Sequence, residues 1–140
     1  MSAMINSYQQ YKKHSVMMAN PMELVIMLFN GAVKQLHLAE ITIGDKNMEA
    51  ANDHLKASQD ILMELMMGLD LSYGIAQDLL KLYEYVHHEI VNINASKDAA
   101  GIAPLISIMS SLRDAWEQVH REYKGGLYTA GQEAAGQETE

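Results

Sequence analysis

Two prolines in 140 residues, at positions 21 and 104, leave long windows with nothing to break a helix. Proline disrupts a helix interior but is tolerated in the first turn, where its missing N–H has no partner to lose. Asn20 is a natural cap and Pro21 takes the first helical position, so a first helix runs from there to about Ile43 and stops at Gly44. Asp45 is placed to cap a second helix reaching about Leu69. Residues 68–74, Gly-Leu-Asp-Leu-Ser-Tyr-Gly, read as a turn, and Ser72 or Tyr73 begins a third helix that ends near Asn94. Ser96-Lys97-Asp98 opens a fourth, with Pro104 either in its early turn or marking a short preliminary helix. The pattern stops at Lys124-Gly125-Gly126. Four long helices with short connections predict an all-α, antiparallel four-helix bundle over residues 20–124. Residues 1–19 form an arm with one short helix, and residues 125–140 form a disordered tail.

At 100° per residue each helix shows one apolar stripe for the core. On the first it is Val25, Phe29, Ala32, Leu36, Ala39 and Ile43; on the second, Ala51, Leu55, Leu62, Leu65 and Leu69. The third contributes Ile75, Leu79, Leu82, Val86, Ile90 and Ile93, and the fourth Leu105, Met109, Leu112, Trp116, Val119 and Tyr123. The tail holds four glycines and three glutamates and no Lys or Arg. Such a segment buries too little apolar area to offset its chain entropy.

These stripes do not use up the apolar residues. Leu24, Met27, Leu38 and Ile41 lie ~100–160° from the first stripe, and Met63, Met67, Leu80 and Val91 are off-stripe on the next two helices. A solvated bundle face normally carries charge there, because a contiguous apolar patch invites association. Eleven methionines strengthen the point, since an unbranched thioether adapts its shape and suits a groove that receives helices of varied sequence. Within the arm, Ile5, Tyr8 and Tyr11 fall at i, i+3 and i+6, so one helical turn pair lays all three on the bundle. The arm is thus a candidate cover for an empty groove. A rival use of the same surplus is a homodimer.

Charge and composition remove other classes. A formal charge of −8, with ten Lys and Arg scattered along the chain, argues against a nucleic-acid partner, which needs a basic face. The longest fully apolar run, residues 24–29, is far short of the ~18 residues of a spanning helix, so no membrane insertion is expected. Polar residues interrupt the first twenty positions, and no secretory leader is read there. With no cysteine there is neither a disulfide framework nor a thiolate metal site.

The Tyr8-x-x-Tyr11-Lys12 arm, Asn20-Pro21, Glu23-Leu24, Met27-Leu28, Leu82-Tyr83 and Arg113-Asp114-Ala115-Trp116 occur in an order that resembles the flagellar secretion chaperones of the FliS family. Ile5 and Tyr8 match that family's apolar-x-x-Tyr arm pattern. The resemblance implies a cytoplasmic, ATP-independent chaperone with no cofactor, whose client is the disordered C-terminal segment of flagellin. It further implies protection from premature polymerisation and delivery to the flagellar export gate. Heavy methionine content and the Gly- and Glu-rich extension depart from the common pattern.

One competing chemistry needs its own test. Glu84-Tyr-Val-His87 and Glu117-Gln-Val-His120 have the Glu-x-x-His spacing of di-metal carboxylate bundles. By helical angle, however, Glu84 lies ~160° and His87 ~100° from the third stripe's centre, and Glu117 ~110° from the fourth's, so these ligands do not converge. No phosphate loop and no nucleophile with an identifiable base appears, and neither a catalytic nor a metal site is expected.

Overall fold

The computed structural model describes the backbone of residues 21–134 and the side chains of residues 22–122. Four helices follow in order: α1 Pro21–Gly44, α2 Met48–Met67, α3 Gly74–Ser96 and α4 Ile102–Ala134, with a 3-10 turn Ala99–Gly101 before α4. Pro21 is the first residue of α1, as its chemistry requires. The cap of α2 is Asn47 rather than Asp45; its side-chain oxygen accepts from Ala50 N–H at 3.2 Å. Residue 45 is still occupied in closing α1, where its N–H bonds Ile41 O, and the left-handed Lys46 (φ 61°) turns the chain. Asp98 caps the 3-10 turn, accepting from Ala100 N–H, which places Pro104 in the early turn of α4. The backbone of α4 continues past the Lys124 boundary to Ala134. Glycine lowers helix propensity by about 1 kcal/mol against alanine but does not forbid the conformation.

α1 packs along both α2 and α4, and α2 packs along α3; α3 and α4 meet at few points. The bundle is therefore open along its α3–α4 seam. Its core contains Phe29, Ala32, Leu36 and Ala39 of the first stripe, Leu55, Leu62 and Leu65 of the second, Val86, Ile90 and Ile93 of the third, and Leu105 and Met109 of the fourth. Leu28, Val33, Ile61 and Ile102 join them. Polar pairs fix the helix register: His54 Nδ1 donates to Gln35 Oε1 at 2.8 Å between α2 and α1, and Asn94 Nδ2 donates to Asn52 Oδ1 at 2.9 Å between α3 and α2.

The open seam corrects three core assignments. Ile75 is 68% exposed and Val119 46% exposed, while Leu82 is only half-buried. On α3, Asn94 marks the flank that faces α2, and Ile75 and Leu82 lie ~100–120° round from it on the flank toward α4. On α4, Arg113 marks the flank facing α1, and Val119 lies ~120° away toward α3. A closed bundle would have covered all three; among the described residues no helix crosses over them. Tyr83 fills the core position beside Leu82 and is 1% exposed. Tyr123 lies outside the described side chains.

By length and composition alone α1 is apolar enough to cross a membrane. Its apolar stripe is consumed by the bundle core, and Asn30, Lys34 and His37 punctuate its outer face. Those are the marks of a core helix.

Candidate functional site

At the end of the bundle where α1 begins, the core opens into a cleft of about 300 Å³. Leu24, Val25 and Leu28 of α1 form one wall; Leu65 and Met67 of α2, with Leu69 just beyond, form another; Tyr83 of α3 and Trp116 of α4 form the back. The local sequence explains the opening. Gly68 N–H closes α2 on Glu64 O at 3.1 Å, and Leu69 N–H reaches Met66 O, turning Leu69 back against the core. Asp70 then takes the Ser72 N–H at 3.1 Å and the Ser72 hydroxyl at 2.7 Å, bonds that hold its carboxyl below the ordinary carboxylate range. This turn leaves Met67 at the rim, 72% exposed, beside the exposed side chains of Leu71 and Tyr73. The lining is apolar except for Glu64, which suits the apolar face of an incoming helix rather than a reacting polar group.

The back wall is aromatic. Tyr83 and Phe29 stack with ring centroids 6.2 Å apart at 59°. Burial pushes the Tyr83 phenol up to about 12, against the opposing effect of a hydrogen bond with the Trp116 side chain.

A second depression, about 450 Å³, lies between α1 and α4 and is mixed in character: the apolar Ile26 and Met27 line it together with Glu23, Asn30, Glu117, His120 and Arg121. His120 Nε2 approaches Glu23 Oε2 at 3.9 Å. Arg113 pairs with its own neighbour Asp114 at 3.2 Å and reaches Asn30 Oδ1 at 3.3 Å, so its contact between helices is to an amide and the ion pair stays within α4.

The surplus apolar residues do not make one surface. Leu24 and Met67 meet in the apolar cleft, while Met27 lies in the separate depression between α1 and α4. By helical angle, Leu80 and Val91 share the flank of α3 that carries Asn94, and Met63 shares the flank of α2 that carries Asn52; all three border the α2–α3 groove. Leu38 and Ile41 sit toward the far end of α1, Ile41 exposed and Leu38 half-buried. Ile5, Tyr8 and Tyr11 lie outside the described residues. Sequence reasoning missed the cleft walls because Val25, Leu65, Leu69 and Trp116 read as core. They are core residues at the point where the core runs out. The signal was the apolar content of the 68–74 turn, where Leu69, Leu71 and Tyr73 are more than a connection needs.

Glu84 is exposed on the outside of α3 and His120 turns toward Glu23. Among the described residues no three His, Asp or Glu side chains stand close enough to hold a metal ion.

The model of the flagellar protein FliS family matches residues 4–123. The chain belongs to the FliS family. It is 33% identical over 116 residues to the flagellar secretion chaperone FliS of Bacillus subtilis, covering 83% of this chain and 87% of that protein. It is 32% identical over 119 residues to the FliS of Salmonella typhimurium, covering 82% and 88%. A crystal structure of a bacterial flagellar chaperone superposes with a TM-score of 0.70 over 84% of this chain and 98% of that one; at 17% identity this is a likeness of fold. The FliS-family chain is thus a flagellar chaperone in a four-helix scaffold, and its apolar cleft belongs to that scaffold's open end.

Proposed function

We propose that this FliS-family chain is a cytoplasmic export chaperone that binds the disordered C-terminal segment of flagellin and carries it to the flagellar export gate. The observation that carries the reading is the apolar cleft at the open end of the bundle, with Leu24 and Met67 on its walls and Trp116 behind them. A client segment folds into amphipathic helices, seats its anchor residues in the cleft and runs on along the α2–α3 groove past Met63, Leu80 and Val91. Covering those anchors hides the surfaces through which flagellin polymerises. Ordering a disordered segment costs about 2–5 kcal/mol, so continuous apolar contact is needed to offset it. No step requires a nucleotide or cofactor, and the chain acts by binding alone. The arm carrying Ile5, Tyr8 and Tyr11 shields the empty groove and moves aside for the client.

Mixing the chain with a flagellin C-terminal peptide should raise helicity by circular dichroism and give saturable heat in calorimetry. An unchanged spectrum without binding heat defeats the proposal. Met63→Glu with Met67→Glu should weaken the peptide at least tenfold while moving the melting temperature by only a few degrees. Collapse of the fold would instead place both residues in the core.

A further inference from the structure

We propose that Met63 and Met67 form an oxidation-sensitive modification site through which hydroperoxides switch off the docking surface; this rests on the client-binding reading above. The chain contains no cysteine, so thiols, the usual first targets of peroxide, are absent and its sulfur is all thioether. The described methionines differ widely in access. Met67 is 72% and Met63 45% exposed, whereas Met109 is fully buried in the core. Met63 and Met67 stand four residues apart on α2, on its outer side, so both sulfurs face solvent along the same helix. Met67 lines the apolar cleft, and by helical angle Met63 shares the α2 flank of Asn52 that borders the α2–α3 groove. The two most accessible sulfurs of α2's second half therefore lie where a client helix docks.

The step is a two-electron oxygen transfer. The thioether sulfur attacks the peroxide, an S–O bond forms as the O–O bond breaks, and hydrogen peroxide leaves as water. Each methionine becomes a sulfoxide, and the peroxide is the reductively cleaved partner. A flexible apolar side chain is thereby replaced by a polar one with a strong acceptor oxygen. In the empty chain water solvates the Met67 sulfoxide, but a helix docking into the cleft beside Leu24, Leu65 and Trp116 strips that water and offers the oxygen no donor. Met109, fully buried in the core, is inaccessible and spared. Sulfoxide reductases, drawing on a dithiol reductant, return the thioether and reset the surface.

The test treats the full chain with hydrogen peroxide at a dose that leaves Met109 unmodified, as read by peptide mapping. Met67 and Met63 should be oxidised ahead of Met109, the far-ultraviolet melting curve should be retained, and affinity for the flagellin C-terminal peptide should fall about tenfold. Incubation with both classes of methionine sulfoxide reductase should restore it. The Met63→Leu/Met67→Leu chain, its affinity compared before and after the same treatment, should show no loss on oxidation. Undiminished binding by oxidised wild type overturns the proposal, and so does equal loss in the double leucine variant. Failure of the untreated wild type to bind strikes the client reading instead. In that case the peptide map still decides the site: comparable oxidation of Met109 and Met67 overturns it, and early modification of Met67 and Met63 supports it.

Discussion

Phe29 on α1 and Tyr83 on α3 stack diagonally through the bundle, ring centroids 6.2 Å apart and planes inclined at 59°. Tilted packing of this kind sets the positive edge of one ring against the negative face of the other. Tyr83 also reaches α4 through its hydrogen bond with Trp116. Since α3 and α4 otherwise touch little, this aromatic chain ties the open side of the bundle together just where the cleft begins.

The Tyr83 phenol makes stability fall at alkaline pH. In the folded chain burial holds it protonated up to about 12, while in the unfolded chain it releases its proton near 10. Between those values the unfolded state binds fewer protons, so stability is intact below pH 10 and declines as pH rises toward 12. The linked loss is on the order of 2 kcal/mol. Tyr83→Phe should cost about 1 kcal/mol at pH 8 by removing the bond to Trp116, yet escape this decline. Urea unfolding of both proteins at pH 8 and pH 11 should show the gap closing.

Gln35 and His54 form a nearly buried polar pair whose members depend on one another. Gln35→Leu leaves the His54 Nδ1–H without its acceptor and should destabilise the fold by about 1–3 kcal/mol. Gln35→Leu with His54→Leu replaces both polar groups and should recover much of the loss. A double-mutant cycle by chemical denaturation reads the coupling; strict additivity would mean that the bond contributes nothing to register.

The helix count, the order of the elements and most of the core were legible in the sequence, because Phe29, Leu36, Leu55, Leu62 and Ile90 repeat at helical spacing and spacing is a local property. What failed is what depends on neighbours. Leu82 and Tyr83 are adjacent apolar residues, and which of them turns inward follows from Phe29 waiting on α1. The choice of Asn47 over Asp45 follows from how α1 unwinds through Lys46. The candidate site divided in the same way. Leu24 and Met67 were identifiable as surplus, but their meeting with Trp116 in one cleft required the end of the bundle to be open, and no periodicity reports that.

The open seam has a direct consequence for Ile75 and Val119, which helical spacing puts in the core and the fold leaves 68% and 46% exposed. Ile75→Ser and Val119→Ser should each change stability by less than about 1 kcal/mol, as surface substitutions do. Ile90→Ala, at a fully buried position on α3, should cost about 2–5 kcal/mol. Thermal and urea unfolding of the three variants separates the cases. A large loss at Ile75 or Val119 would show that α3 and α4 close on one another in solution.

Gly31 lies midway along α1 where the helix passes α2, and a Cβ placed there would stand 3.3 Å from Ile61 Cδ1. Two effects then oppose each other. Alanine at an interior helical position gains about 1 kcal/mol of helix propensity over glycine. The Ile61 methyl, buried against the core, must yield by a few tenths of an ångström, and crowding of a packed interior costs about 1–3 kcal/mol when the neighbour cannot move. Gly31→Ala alone should therefore be neutral or mildly destabilising. Ile61→Val removes the obstructing Cδ1, so the same Gly31→Ala change made in that background should stabilise by close to the full propensity gain. The difference between the two effects of Gly31→Ala, measured by urea unfolding with and without Ile61→Val, is the steric term. If Gly31→Ala stabilises both backgrounds equally, α1 and α2 do not approach closely enough at this point to make glycine necessary.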